Sequence, residues 1–183
     1  MKDYKFAPSK VKAYRDFAKK VYIHNKKVGW WDEPVRPLAT TIDLIHSELS
    51  EAMEAHRKDL MDDKLTDEHG VHAELADALI RTLDAICHYK QNTKTLIYFS
   101  GVLHYACEPS DFNCMNLMVR SALNKVYMDK DYEALWEVVK LLDEMAAILN
   151  FDILAIAKKK HEFNKTRADH TREARNGQNG KKY

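Results

Sequence analysis

The sequence predicts an all-α protein, a bundle of about six or seven helices in one domain. Only five glycines and four prolines interrupt its 183 residues, which favours long helices over many short strands. Apolar residues recur at steps of three and four along most of the chain, the period of a helix with one buried face. No segment makes a convincing strand, and the length suits a single substantial core.

The first helix is predicted at about 10–26 with Ser9 as its cap, and a loop with two tryptophans, a glycine and prolines follows at 29–37. Periodic apolar positions predict two more helices at about 38–58 and 71–89, joined by a charged connection. Four further helices are predicted. Two lie at about 93–106 and 132–149. The other two begin after a cap: one runs from Ser110 or Asp111 to about 128, and one from Asp152 to about 165.

The two halves of the chain resemble each other weakly. The similar pairs are 42–51 with 115–124, and 79–84 with 138–143. This likeness suggests a degenerate internal duplication of a helical hairpin, in which only the first half keeps its acidic residues. Two amphipathic hairpins that merely share a pattern explain it equally well.

Bulk composition gives no indication of a nucleic-acid or membrane partner. The net charge is +1, and charged and hydrophobic residues make up 31% and 45% of the chain. No apolar run is long enough to span a membrane, and residues 1–12 lack the apolar core of a signal peptide. Cys87, Cys107 and Cys114 form no CxxC pair and are expected to be free thiols. These features together predict a cytoplasmic protein.

Two helices of the first half each carry a pair of carboxylates three residues apart. The pairs are Glu48 with Glu51, and Glu74 with Asp77. Residues three apart share one helix face, and a short connection makes the two helices neighbours, so the pairs are expected to converge. One such pair alone is more often a solvated face. Two converging pairs repel each other and need a cation, unless some carboxylates are protonated.

Oxygen ligands favour Mg²⁺ in such a cluster, with Mn²⁺ as the alternative. Carboxylate-bridged iron sites in helical bundles combine glutamates with a Glu-x-x-His motif. No glutamate in this chain precedes a histidine by three positions, which argues against a redox metalloprotein.

The arrangement Glu48-x-x-Glu51 followed by Glu74-x-x-Asp77 resembles the metal motif of the MazG-like all-α nucleoside triphosphate pyrophosphohydrolases. It is similar to a variant common among phages and bacteria, and the stretch Phe-Asn-Lys-Thr-Arg at 163–167 resembles the family's C-terminal region. Ser47 stands where the family's first motif often has a further glutamate. The resemblance covers the front third and the end of the chain, and 92–150 only by pattern.

The resemblance implies a four-helix core and Mg²⁺-dependent hydrolysis of a nucleoside triphosphate to monophosphate and pyrophosphate. The implied metal ligands are Glu48, Glu51, Glu74 and Asp77. Water attacks the α-phosphorus, and Glu48 is the candidate that orients or deprotonates it. The implied phosphate contacts are Asn164, Lys165 and Arg167.

Three further residues are candidates for contact with the nucleotide. Trp30 and Trp31 lie in the loop before the metal helices, where either one stacks on a base or caps the core. Asn124 corresponds to Glu51 in the suspected duplication, and its amide either reads a base edge or lies on the surface.

The single domain, 1–183, then has four expected parts. These are an N-terminal helix and tryptophan loop at 1–37, a metal-binding hairpin at 38–91, a second helical half at 92–166, and a flexible basic tail at 167–183. A homodimer is expected because one family hairpin needs partners to complete its site. A monomeric pseudo-dimer is the alternative if the second half is a degenerate repeat.

Two other functions remain open from the sequence. A dUTP- or dCTP-selective pyrophosphatase keeps the fold and chemistry and differs only in a few hydrogen bonds to the base. A helical nucleotide-binding module without catalysis is the second, and the intact carboxylates argue against it.

Overall fold

Helices form almost all of the regular structure. The computed structural model describes residues 7–32, 34–89 and 111–177, and these residues contain seven α-helices, one 3₁₀ turn and no β-strand, which confirms the all-α class. The predicted helix at 93–106 and the cap Ser110 lie outside the described residues. The elements are α1 (Pro8–Lys27), α2 (Leu38–Lys58), α3 (Gly70–His88), α4 (Phe112–Met128), α5 (Ala134–Ile148), α6 (Ile153–Thr166), the 3₁₀ turn (Ala168–His170) and α7 (Arg172–Asn176).

Most helix ends follow the capping chemistry of the sequence. The Asp111 carboxylate caps α4 by accepting a backbone N–H at 2.8 Å, and Asp152 caps α6 through two backbone N–H groups. At α1 the predicted cap Ser9 instead lies inside the helix, which begins at Pro8. Proline suits this first turn because its missing N–H has no partner there in any helix.

Helix α3 is the centre of the fold and packs against α1, α2, α5 and α6. α2 and α3 form one helical hairpin, α4 and α5 form another, and the hairpins pack through α2 with α4 and α3 with α5. Fully buried leucines fill these contacts: Leu49, Leu75, Leu79, Leu83, Leu123, Leu135 and Leu142. Because α3 has neighbours on most sides, the polar side chains that it carries are withdrawn from water.

Corresponding helices of the two hairpins pack against each other, α2 with α4 and α3 with α5, which is compatible with a duplication. Asp84 and Asp143 correspond in the two halves, and both are buried. Each accepts a hydrogen bond from a residue of α1, Asn25 for Asp84 and Tyr14 for Asp143. Hairpins of separate origin can pack in the same way, so the duplication stays a hypothesis.

The connection between α2 and α3 turns a carboxylate inward. Gly70, the first residue of α3, follows this connection. It packs so tightly that an added Cβ would lie 3.0 Å from the Ala55 side chain and 3.0 Å from the Leu60 carbonyl oxygen. Within the connection, Asp62 accepts a hydrogen bond from the backbone N–H of Leu65. The Asp62 residue is only 4% exposed and faces the bundle.

The described part of the tail folds back over the loop after α1. Arg172 of α7 forms an ion pair with Asp32, and the rings of His170 and Trp30 meet edge to face at 5.8 Å. The sequence-based expectation of a flexible tail did not include the 3₁₀ turn or α7. Both elements bring polar side chains of the C-terminal region close to the tryptophan loop.

Cys87 is a free thiol, whereas Cys114 is disulfide-bonded. The expectation of three free thiols is therefore wrong for Cys114, and the cysteines give no support to a cytoplasmic location. Among the described residues, no helix combines the length and apolar character needed to cross a membrane.

We expect Tyr14→Phe to lower the free energy of unfolding by about 1–3 kcal/mol. The Tyr14 hydroxyl donates to buried Asp143 at 2.5 Å, and the variant leaves that carboxylate short of a donor in the core. Urea unfolding followed by circular dichroism measures the change. Tyr127→Phe, at an exposed tyrosine of α4, is the matched control and should change stability by less than about 0.5 kcal/mol. Equal effects of the two substitutions would contradict this role of Tyr14.

Candidate metal centre

Three of the four predicted carboxylates converge between α2 and α3. Glu48 of α2 and Glu74 and Asp77 of α3 each offer an oxygen atom, and these atoms all lie within 4.8 Å of one another. The three-residue spacing on α3 and the close packing of the two helices produce this triad. Glu51, one turn further along α2, lies outside the triad and has an exposed side chain.

Glu48 is buried and held by an arginine. Nε and Nη2 of Arg81 donate to the same Glu48 oxygen, Oε1, at 2.7 and 2.6 Å. Burial raises the pKa of Glu48 above its usual range, and the Arg81 guanidinium opposes this rise. One oxygen of the predicted catalytic carboxylate is therefore already occupied.

Glu74 lies beside the other two carboxylates of the triad, and its pKa is raised. Burial raises its pKa to about 8, and the nearby Asp77 carboxylate adds to the rise, although Lys160 opposes it. The Glu74 carboxyl group therefore donates a hydrogen bond to the Glu48 carboxylate. A cation that enters the triad has to displace this proton.

Asp77 is paired with a lysine of α6. The Lys160 side chain is only 2% exposed, and its Nζ lies 3.0 Å from Asp77 Oδ2 and 3.1 Å from Asp62 Oδ2. Burial raises the pKa of Asp77, and the nearby Lys160 ammonium group opposes this rise. For Lys160 burial acts to lower the pKa, but the surrounding carboxylates raise it by more.

The sequence contains a signal for Lys160 that was missed. Lys160 is buried, whereas its neighbours Lys158 and Lys159 are exposed. It follows Ile153, Ile156 and Ala157 at steps of three and one, and thus lies on the apolar stripe of α6. A lysine in an apolar stripe requires a buried anionic partner.

The triad lines a cavity of about 280 Å³, close to the lower end of the size range of small-molecule sites. Glu51 lines the same cavity, so all four predicted carboxylates face one space. Cationic and polar side chains from the tryptophan loop, the α2–α3 connection, α3 and the C-terminal region complete the wall. They include Trp30, Arg36, Lys64, Arg81, Asn164 and Arg167.

Three of the predicted substrate contacts are part of this lining: Trp30, Asn164 and Arg167. The Arg167 guanidinium pairs with the Asp169 carboxylate, Nη2 to Oδ2, at 2.7 Å. Its Nε also donates to Asp169 Oδ1 at 2.9 Å, so the pair is bidentate, and Asp169 is well exposed.

Trp31 does not line the cavity. It is buried, its Nε1 donates to Asp84 Oδ1 at 3.0 Å, and its ring stacks on His88 with the ring centres 3.7 Å apart. Of the two roles considered for this tryptophan, the structure therefore shows the core-capping one. Trp30 is partly exposed and lines the cavity.

Lys165 and Asn124 also lie outside the lining. Lys165 is exposed on the last turn of α6, where its Nζ donates to Glu162 at 2.6 Å. Asn124 is exposed on α4 and forms a hydrogen bond with His46 on the flank of α2. Both residues were expected from linear patterns that do not specify the direction of a side chain.

Asp84 anchors the tryptophan loop from inside the bundle. Its carboxylate accepts hydrogen bonds from Asn25 Nδ2 at 2.8 Å and from Trp31, and lies 3.9 Å from the Arg36 guanidinium. Burial raises its pKa, and these partners oppose the rise. Its position on α3, seven residues after Asp77, was a usable signal because residues seven apart share a helix face.

The donor set suits a hard divalent cation. The triad offers carboxylate oxygens only, and within the described residues no histidine or cysteine belongs to it. Such ligands favour Mg²⁺ or Mn²⁺ over iron and zinc.

No protein-family model, curated protein or solved structure matches the chain.

We expect the protein in EDTA to lose stability as the pH rises from 6.5 to 8. The unfolded chain releases the Glu74 proton near the ordinary value of 4.5, whereas the folded protein keeps it up to about 8. The folded state thus binds more protons in this range, and its stability falls by up to about 1.4 kcal/mol per pH unit. Burial lowers the pKa of His24, His46, His72 and His161, so these histidines add stability as the pH rises through 6.5 and offset part of the fall near the lower end of the range. The difference in slope between the wild type and Glu74→Gln therefore isolates the Glu74 contribution.

Thermal melts at the two pH values test this expectation. Glu74→Gln should flatten the dependence of the melting temperature on pH, since the glutamine side chain keeps the neutral hydrogen bond and has no titrating proton. Glu54→Gln, on the outer face of α2, should leave the dependence as it is. Added Mg²⁺ should raise the melting temperature more at pH 8 than at pH 6.5. The idea fails if the wild type and Glu74→Gln show the same slope.

Proposed function

We propose that this protein is a Mg²⁺-dependent nucleoside triphosphate pyrophosphohydrolase that releases pyrophosphate and a nucleoside monophosphate. The observation that carries the proposal is the meeting of a carboxylate triad, several cations and a partly exposed tryptophan in one small cavity. A triphosphate, its metal ion and a base need these three kinds of partner. The resemblance of the Glu48–Asp77 motif to the MazG-like family supports the same activity.

Glu48, Glu74 and Asp77 are the residues that would hold the Mg²⁺. When bound, the ion supplies a Lewis acid for the phosphate oxygens and lowers the pKa of a coordinated water. All three ligands are carried by helices and not by loops, so their positions are fixed before substrate arrives. Glu74 contributes as a carboxylate only after it has lost its proton.

The phosphates are bound by groups around the triad. Lys64 and Arg167 provide positive charge from two different segments of the wall, and Asn164 provides an amide. These groups compensate the charge that develops on the phosphoryl oxygens in the transition state. The Trp30 ring offers a face to the base.

Two carboxylates are candidates for the proton of the attacking water. In the reaction a water oxygen bonds to the α-phosphorus, the bond from that phosphorus to the bridging oxygen breaks, and a carboxylate takes the water proton. Glu48 has one oxygen committed to Arg81, whereas Glu51 lines the cavity from outside the triad. This difference favours Glu51 as the base and Glu48 as a ligand.

The second hairpin, α4 with α5, packs on the first and contributes no residue to the described lining of the cavity. The homodimer and the monomeric pseudo-dimer both stay predictions.

We expect Mg²⁺-dependent release of pyrophosphate and monophosphate from at least one member of a panel of canonical and modified nucleoside triphosphates. Chelator should abolish it, and Glu74→Gln should lower kcat/KM by roughly 100-fold or more because a metal ligand is lost. Glu54→Gln on the outer face of α2 is the matched control and should retain wild-type activity. Chromatography of the products gives the answer.

The outcomes separate the rival functions. Strong preference for dUTP or dCTP would identify the base-selective enzyme. Diphosphate and orthophosphate as products would show that the wrong bond was proposed. Nucleotide binding without turnover across the panel would favour the binding module.

Arg167→Ala should raise the KM for the nucleotide by roughly 10-fold, the expected loss for one charge-assisted phosphate contact. Lys165→Ala should leave KM nearly unchanged, because Lys165 pairs with Glu162 away from the cavity. Both changes remove one positive charge from the same turn. Initial-rate kinetics therefore distinguish a direct contact with the phosphate from the long-range electrostatic effect of a nearby positive charge. Equal effects would contradict the assignment of Arg167.

A further inference from the structure

Lys160 has a position and environment that are usual for a bound metal ion. Its ammonium group lies between two carboxylates of different segments, Asp77 of α3 and Asp62 of the α2–α3 connection, at 3.0 and 3.1 Å. The side chains of Lys160 and Asp62 are 2% and 1% exposed. A buried ion pair of this kind persists only where its partners are held in place.

The connection between α2 and α3 is built to supply Asp62. One oxygen of its carboxylate, Oδ1, accepts from the backbone N–H groups of Lys64 and Leu65, and the other, Oδ2, accepts from Lys160. Both oxygens are therefore hydrogen-bonded, and the Lys160 ammonium group is the cation that lies between Asp62 and Asp77.

The charges around the triad leave room for one divalent cation. Among the described residues, Glu48, Glu74, Asp77 and Asp62 are the closely packed carboxylates, and two cations, Arg81 and Lys160, are paired with them. With all four carboxylates ionised, two negative charges remain. One Mg²⁺ neutralises them, and the exposed Glu51 on the same cavity is the one further carboxylate among the predicted ligands.

We propose that the Lys160 ammonium group occupies the second cation position of this centre, so that the protein without nucleotide binds one divalent cation and not two. In two-metal hydrolases the ions lie about 3.5–4 Å apart. Here Asp77 belongs to the triad that would hold the one ion, and it also pairs with the Lys160 ammonium group. The inference rests on the metal centre of the proposed function and adds the number of its ions.

The test is a titration with Mn²⁺ in the absence of nucleotide, followed by electron paramagnetic resonance. Free Mn²⁺ gives the number of ions bound per chain, and spin coupling shows whether two ions are neighbours. The variants are Lys160→Met, which removes the buried cation, and Lys159→Met, a matched change at the exposed neighbour that pairs with Asp67 and Glu68.

The wild type and Lys159→Met should each bind one Mn²⁺ without coupling. Lys160→Met should bind two, with coupling, since Asp62 and Asp77 each gain a free oxygen. Two coupled ions in the wild type, or one in folded Lys160→Met, would overturn the inference. If Lys160→Met does not fold, the wild-type number decides alone.

A parallel assay of hydrolysis keeps the two proposals apart. One bound Mn²⁺ with no turnover of any nucleotide contradicts the proposed activity and leaves the role of Lys160 intact. Two bound ions with turnover contradict the role of Lys160 alone. No bound Mn²⁺ removes the metal centre and both proposals with it.

Discussion

The burial of several carboxylates along one face of α3 is the constraint on which the rest of the structure depends. Glu74, Asp77 and Asp84 lie on the most enclosed helix, and Glu48 faces them from α2. A buried charge without a partner costs several kcal/mol, and like charges at close range add to that cost. Every one of these groups therefore has a partner or a proton.

The surrounding segments supply these partners, which explains why they pack where they do. α6 brings Lys160 to Asp77, the α2–α3 connection brings Asp62 to Lys160, and α1 with the following loop brings Asn25 and Trp31 to Asp84. Each contact joins segments far apart in sequence. The same polar interactions that neutralise the helix thus hold the wall of the cavity together.

Function and stability are in tension at this site. A core of leucines alone would be more stable than one that keeps Glu74 protonated and Asp77 paired with a buried lysine. The proposed metal ion relieves this tension, because it replaces the Glu74 proton and balances the remaining charge. The proposed substrate contacts lie on a loop, a helix end and the tail, where motion costs less than in the bundle.

The sequence by itself determined the all-α class and the bounds of two helices, α2 as observed and α3 within one residue. It also placed Glu74 and Asp77 on one helix face. All of these depend on local periodicity, which a linear sequence contains. Only the tertiary structure decided that Glu51 stands outside the triad, that Trp30 and not Trp31 faces the cavity, and that Lys160 is buried. The tertiary structure likewise decided that Lys165 and Asn124 lie outside the cavity lining. The direction of a side chain and its partner across the bundle depend on how helices pack, and linear spacing carries no information about a contact between residues 62 and 160.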